Sequence, residues 1–112
     1  MKVRVVDEEK LLNACTQGDL NTTTKLLQID GIDVNRRYSG FTPLSIACQQ
    51  GHSEVVQVLV TMKEIQINQA GKNRATPLYM ACQEGHLKVV QVLLTRKEIQ
   101  INQARDDGAT PL

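Results

Sequence analysis

The stretch that decides the fold is TPLSIACQQGH (residues 42–52), which returns almost unchanged as TPLYMACQEGH (residues 76–86). Aligned over one full period, residues 42–75 and 76–109 are identical at 23 of 34 positions. A more distant copy lies upstream, where ACTQGDL, starting at Ala14, corresponds to ACQQGHS. Self-similarity at this period is typical of a stacked array, in which each unit buries its apolar face only against its neighbours.

Each copy predicts two short helices. In the first full copy Thr42 is placed to cap a helix, and Pro43 takes the first helical position, where its missing N–H is not needed. Gly51 ends this helix because glycine readily adopts the left-handed conformation of a C-cap. A second helix is predicted over about residues 53–62, and its valines make it apolar on more than one side. Several neighbours must therefore cover it.

The rest of the unit, residues 63–75, is polar and irregular. Ile65 and Ile67 alternate with polar residues as in a short strand or the edge of a turn, so the segment predicts a hairpin-like finger that projects toward the next unit. Because caps, apolar stripe, Gly-His and the IQIN motif all fall in register, the chain, from about Glu8 to Leu112, resembles the ankyrin repeat family. The resemblance implies an all-α solenoid of stacked helix-turn-helix units with β-hairpin-like loops.

The sequence differs from that family pattern at two places, and each difference leads to a structural expectation. The family's usual histidine after Thr-Pro-Leu is replaced by Ser45 or Tyr79, which leaves the hydrogen bonds of that histidine unassigned. The unit is 34 residues long instead of the usual 33, with an extra residue before Ile65 and Ile99 and no glycine there. We expect either a slightly longer second helix or an altered turn.

The repeats also predict the domain organisation. We expect a single domain over residues 1–112, with a capping repeat at about 8–40, repeats at 41–74 and 75–108, and the start of a fourth at 109–112. In the first copy Thr22, Thr23 and Lys25 replace three valines, which predicts the polar outer face of a capping repeat. The apolar residues at 89, 90, 92 and 93 lack a following helix to cover them. We expect either a longer array or self-association through this uncapped C-terminal end.

Charge and hydropathy exclude several classes of partner. The chain has 13 basic and 12 acidic residues, a net charge of +1, so no global field draws it to nucleic acid or to an anionic membrane. The apolar runs are too short to cross a bilayer, and the start MKVRVVDEEK is not a secretory signal. We expect a cytoplasmic or nuclear protein that does not contact a membrane.

The repeated cysteine and histidine raise a metal-site hypothesis. Cys48 with His52, and Cys82 with His86, could supply four zinc ligands. However, the spacing between the cysteines is that of the repeat and of no zinc finger, and Cys15 recurs in a copy without the histidine. Equivalent positions on stacked helices also lie too far apart for a disulfide. Three reduced, buried thiols are expected, with no metal and no cofactor.

Catalysis is not expected either. The histidines are interpreted as turn residues that link the two helices, and Ser45, the one nucleophile placed to form a triad, becomes Tyr79 in the next copy. The glycines are interpreted as turn residues, and their spacing does not form the motif of a phosphate-binding loop. The sequence therefore indicates a protein that is not an enzyme.

A binding surface follows from the resemblance and from the positions at which the two full copies differ. In ankyrin-like proteins the partner lies against the finger tips and the exposed side of the first helix of each unit. Matched to this sequence, the partner-binding residues are Arg37, Tyr38, Ser39, Phe41, Gln49, Lys72, Asn73, Arg74, Tyr79, Gln83, Arg105, Asp106 and Asp107.

The chemistry of this surface leaves alternatives open. Arg36, Arg37, Lys72 and Arg74 make the first two tips basic, which favours an acidic or phosphorylated protein segment; the same charges also serve simply to solvate exposed loops. The function expected is non-catalytic protein binding. The alternatives are a recruiting module of a larger enzyme and, less favoured because stacking aromatics are sparse, nucleic-acid binding through the tips.

Overall fold

The computed structural model describes residues 5–99 and residue 101, which form six α-helices. In chain order these are α1 (Val5–Gln17), α2 (Leu20–Leu26), α3 (Pro43–Gln50), α4 (Ser53–Val60), α5 (Pro77–Gln83) and α6 (Leu87–Leu94). Each successive pair forms one antiparallel hairpin of the predicted repeat.

The predicted signals start and end the first helix of each full unit. Thr42 Oγ1 accepts from the Ser45 amide at 3.0 Å, and Ser45 Oγ accepts from the Thr42 amide at 2.8 Å, so two otherwise unpaired donors are satisfied reciprocally. Thr76 Oγ1 caps α5 by accepting from the Tyr79 amide at 3.1 Å. Gly51 ends α3 in the left-handed region, with φ 79°. The prediction of these helix ends is confirmed.

The helices stack in two layers. Helices α1, α3 and α5 pack side by side in one layer, and α2, α4 and α6 pack in the other, so that each unit contacts only the units next to it. The result is elongated, 42 Å by 24 Å by 24 Å. Aliphatic side chains such as Leu11, Leu44 and Leu78 are fully buried between the layers. The prediction of an all-α solenoid is confirmed.

The segment after each second helix differs from one expectation. Helix α4 ends at Val60 and not near residue 62, so the prediction of a longer helix is wrong. In the turn that follows, the Met62 amide donates to Leu59 O and the Ile65 amide to Met62 O. The turn after α2 has the same two bonds, from the Ile29 amide to Leu26 O and from the Ile32 amide to Ile29 O. Within the described residues there is no strand at Ile65 and Ile67, only an isolated bridge between Tyr38 and Phe41.

The first repeat differs from its prediction at two places. Helix α1 begins at Val5, ahead of the expected start, and leaves Val5 and Val6 largely exposed. Thr23 does not belong to a polar outer face: it is fully buried, with Oγ1 3.9 Å from Cys15 Sγ. A threonine fits there because its hydroxyl has a polar partner and its methyl group packs as an aliphatic. Lys25 is exposed as predicted.

The last described helix buries more than the sequence suggested. Val89 and Leu93 are fully buried on a helix that packs against both α4 and α5, so the expectation that they need a following helix is wrong. Half-buried Val90 and Val92 fit that expectation better, and Leu94 is 44% exposed. The uncovered apolar surface thus lies on one flank of α6.

Candidate functional site

Most polar groups at the junctions of the repeats are used to join them. His52 Nε2 lies 3.0 Å from Thr16 O, and His86 Nε2 lies 2.8 Å from Gln49 O, each on the preceding repeat. Each ring also covers a glycine of that repeat; a Cβ on Gly51 would come within 2.6 Å of the His86 ring. These histidines are turn residues, as interpreted, but their contact with the preceding repeat was missed from the sequence.

Asparagine side chains join the loops in the opposite direction, from each repeat to the next one. Asn35 Nδ2 donates to Glu64 O at 2.7 Å, and Asn35 Oδ1 accepts from the Gln66 amide at 2.8 Å. Asn68 Nδ2 donates to Glu98 O at 2.6 Å, which repeats the first bond one unit along. The recurrence of asparagine at the repeat period was the signal in the sequence, although no role had been assigned to it. These side chains are therefore unavailable to a partner.

The first finger tip is a tight two-residue turn. Tyr38 and Phe41 exchange two backbone hydrogen bonds, at 2.8 and 2.9 Å, around Ser39 and Gly40. Both central residues have positive φ, 52° and 84°, as in the turns that match the twist of a hairpin. Ser39 is exposed, whereas half-buried Phe41 packs against the core.

The basic residues of this finger are not equivalent. Arg36 Nη1 lies 3.3 Å from Glu8 Oε1, and its guanidinium sits 5.2 Å from the centre of the Tyr38 ring. Glu8 Oε2 also accepts from the Asp33 amide at 2.6 Å, so this buried carboxylate fixes the finger to α1. Arg36 therefore serves the fold. Exposed Arg37 donates from Nη1 to Ala70 O at 3.3 Å, on the next finger.

The second finger tip is one residue longer and lacks glycine at its turn. The Gly71 amide donates to Ala75 O at 2.9 Å, which encloses residues 72–74. Asn73 and Arg74 are exposed and have φ of 60° and 61°. Arg74 occupies the position of Gly40 in the first finger, and a left-handed conformation is unfavourable for a long side chain by about 1 kcal/mol.

The two fingers lie in direct contact. A Cβ on Gly71 would collide with the carbonyl oxygen of Gly40, so only glycine fits at this crossing. The structure therefore brings the predicted residues 37–41 and 72–74 to neighbouring tips. Tyr38 is less accessible than expected, because its ring is half-buried and its hydroxyl is buried with no hydrogen-bond partner among the described residues.

The predicted helix residues differ in what they expose. Gln83 is exposed, and Gln49 is half-buried, with its carbonyl oxygen bonded to His86. Tyr79 is half-buried, but its counterpart Ser45 in the preceding unit is completely covered. The predicted Arg105, Asp106 and Asp107 lie outside the described residues.

The cysteine positions show no reactive centre. Burial raises the pKa of the Cys15 thiol to about 12 and raises those of Cys48 and, less buried, Cys82. All three are free thiols, although Cys82 is half-buried and not buried as expected. Across residues 5–99 and 101, no three metal-ligating side chains come together. Ser45 Oγ is taken up by the helix cap described above.

Comparison with known proteins identifies the family to which this repeat architecture belongs. Residues 11–105 match the profile of the family described as ankyrin repeats (3 copies). The chain is 36% identical over 66 residues to the "Ankyrin repeat and KH domain-containing protein mask" of Drosophila melanogaster, and 41% identical over 59 residues to "Ankyrin repeat domain-containing protein 7" of Homo sapiens. These alignments cover 55% and 52% of this chain, but only 2% and 23% of the two relatives.

Among the described residues, no helix combines the length and apolar character needed to cross a membrane.

Proposed function

Because this chain belongs to the ankyrin repeat family, we propose that it is a non-catalytic module that binds a partner protein with its finger tips and the exposed flank of its first helices. One observation carries the proposal. The two histidines, the two joining asparagines and Glu8 are engaged within and between the repeats, whereas Ser39 and Asn73 are exposed at neighbouring tips. Arg74 also holds an unfavourable backbone conformation, and such conformations concentrate at functional sites.

The charge of the tips supports an acidic or phosphorylated partner segment. Arg37 and Arg74 are both exposed residues of these tips. Arg36 does not contribute to this charge, because Glu8 neutralises it. Arginine pairs well with carboxylate and phosphate, since its planar fork donates two parallel hydrogen bonds. The basic contribution of the first two tips is therefore smaller than the sequence suggested.

The test compares a variant of the finger tips with a variant of helices α4 and α6. Proteins retained from a cell lysate by the immobilised wild-type chain are identified and their binding is measured with purified material. We expect the combination Arg37→Ala, Asn73→Ala and Arg74→Ala to weaken binding by roughly tenfold or more, as expected when anchoring residues are removed. The matched control, Gln57→Ala with Gln91→Ala, changes exposed residues of α4 and α6. If the tip variant and the control variant bind the partner with equal affinity, the tips are not the binding surface.

A second proposal concerns self-association through the uncovered flank of the last hairpin. Cys48 and Val56 are completely covered in the second unit, and Val60 is 6% exposed. Their counterparts Cys82 and Val90 are half-buried, and Leu94 is 44% exposed. An apolar flank of this kind is a candidate contact for a second copy. Light scattering should show mass rising with concentration, and Leu94→Glu should abolish the rise; a monomer at every concentration contradicts the proposal.

We further propose a cytoplasmic or nuclear location. Free thiols at positions 15, 48 and 82 support it, since cysteines stay reduced in those compartments. Fluorescence microscopy of the tagged chain, compared with a secreted marker, tests this.

A further inference from the structure

A groove of about 350 Å³ opens between the first two repeats, on the side of the loops that follow α2 and α4. Its apolar lining comes from both repeats: Leu27, Ile29, Ile32, Val34 and Met62. Leu27 and Val34 are buried, while the other three are half-buried and therefore reachable from solvent. No residue of the proposed binding surface lines the groove, although Val34 lies only three residues before Arg37 in the sequence.

The charged residues of the groove are both acidic. Asp30 from the first repeat and Glu64 from the second line it, and both are exposed. Neither carboxylate has an ion-pair partner among residues 5–99 and 101. Lys63, the neighbouring cation in the sequence, is exposed but does not line the groove. A cleft lined by aliphatic side chains and two carboxylates, with no lysine or arginine in its lining, is complementary to a positively charged group on an aliphatic stem.

The next junction shows how the same backbone accommodates such a group. One repeat along, Arg96 stands at the position of Met62 and Glu98 at that of Glu64. Arg96 Nη2 donates to Glu98 Oε1 at 2.6 Å, a hydrogen bond that lowers the pKa of the Glu98 carboxyl. At the first junction methionine replaces the arginine, so Glu64 keeps the carboxylate but lacks its cation. The Arg96–Glu98 pair therefore shows which kind of group, a guanidinium, could pair with Glu64 at the first junction.

We propose that the groove between the first two repeats binds an arginine side chain of a partner protein. The aliphatic stem of that arginine packs on Met62 and Ile32, and its guanidinium pairs with the carboxylates of Asp30 and Glu64. This surface is separate from the finger tips, so the chain would contact arginine-bearing segments independently of any partner held at the tips.

The probe is butylguanidinium chloride, which reproduces the head and stem of arginine. It is titrated at constant ionic strength into the full chain labelled at the methionine methyl groups, and the methyl resonances are followed by NMR. Met62 reports from the groove, while Met80, buried in the helix stack, is the internal control. We expect a saturable shift at Met62 and none at Met80. Butan-1-ol, which has the stem without the charge, should bind roughly fivefold more weakly or not at all.

Three variants separate the proposal from nonspecific binding. Asp30→Asn with Glu64→Gln should weaken butylguanidinium by roughly fivefold or more, since the carboxylates are removed without loss of volume. Glu98→Gln, the matched change at the next junction, should leave the affinity unchanged. Met62→Arg should fold, because the third repeat carries arginine there, and should block the groove, as read from the Ile32 methyl group.

Several results overturn the proposal. These are the absence of a saturable shift at Met62, an equal shift at Met80, equal affinity for butan-1-ol, and unchanged affinity in the Asp30→Asn, Glu64→Gln variant. None of these results bears on the finger tips, whose own test uses different residues.

Discussion

The second and third repeats have nearly the same sequence but different surroundings. Cys48 and Val56, in α3 and α4, are completely buried, whereas their copies Cys82 and Val90, in α5 and α6, are only half-buried. The two repeats begin alike, since each has a threonine cap, a proline at the first position and a histidine before the second helix. Their first helices end differently, α3 with the left-handed C-cap Gly51 and α5 with the right-handed C-cap Glu84. The comparison shows that burial in this fold is set by the neighbouring repeat and not by the repeat itself.

The largest expected difference between the two repeats is at their glycines. Gly51 and Gly85 have nearly equal φ, 79° and 73°, but the His86 ring covers Gly51 and nothing lies within 4 Å of a Cβ at Gly85. We expect Gly85→Ala to lower the free energy of unfolding by about 1 kcal/mol, from backbone strain alone. Gly51→Ala should lower it by about 3 kcal/mol, because it also displaces the ring and its bond to Gln49. Urea unfolding measures both; equal losses would show that the ring contact contributes nothing.

Truncated valines should give the next largest difference. Val56→Ala removes fully buried methyl groups and leaves a cavity, so we expect a loss of about 2–3 kcal/mol. At half-buried Val90 the same change should lose about 1 kcal/mol, because part of that side chain already faces solvent. Urea midpoints with unchanged slopes provide the measurement. A larger loss at Val90 would contradict the account of burial by neighbours.

At alkaline pH, Cys48 and Cys82 should contribute differently to the pH dependence of the free energy of unfolding. Burial raises the pKa of the Cys48 thiol in the folded state above its ordinary value of 9.0, so the unfolded chain releases the proton first. The resulting stability is complete below about pH 9 and is lost as the pH rises further. At one pH unit above that value the loss is about 1.4 kcal/mol for a buried thiol. Cys48→Ala should remove this share of the pH dependence. Cys82→Ala should remove less, because Cys82 is more exposed; an equal effect of the two variants speaks against the difference in burial.

The fingers offer the smallest expected effect. Gly40 adopts the left-handed conformation of the first tip without backbone strain, because glycine has no Cβ. Arg74 has the same conformation in the second tip and is therefore strained. Arg74→Gly should therefore raise the free energy of unfolding by about 0.5–1 kcal/mol. Gly40→Ala is the matched opposite and should lower it by about 1 kcal/mol. Thermal or urea unfolding gives both values. A destabilised Arg74→Gly variant would mean that the arginine side chain contributes more to folding than the strain removes.

Much of the fold could be predicted because its signals are local. The Thr42 cap, Pro43 and Gly51 each act within one turn of helix, and the repeat then fixes how the turns recur. The early start of α1 and the end of α4 at Val60 escaped prediction, because tertiary packing overrides the weak propensity of helix ends.

The candidate site was harder to predict because its decisive contacts are distant in sequence. Glu8 reaches Asp33 and Arg36, more than twenty residues away, and no pattern indicates that this removes Arg36 from the basic surface. Thr23 looked polar by composition, yet it is buried beside Cys15. Arg74 gave no signal of its backbone conformation, because the residue type disfavours it. The tips themselves were recognisable, since they are where the two copies differ most.

The central claim is that each repeat is protected by the next one along the row. Cysteine alkylation under native conditions, followed by mass spectrometry, tests it most directly, with each rate normalised to that of the same thiol in denaturant. At a protein concentration where the chain is monomeric, Cys82 should react first. Cys15 and Cys48 should be slower by roughly a hundredfold or more, because they are exposed only when the stack opens. Equal rates at Cys48 and Cys82 would contradict the account.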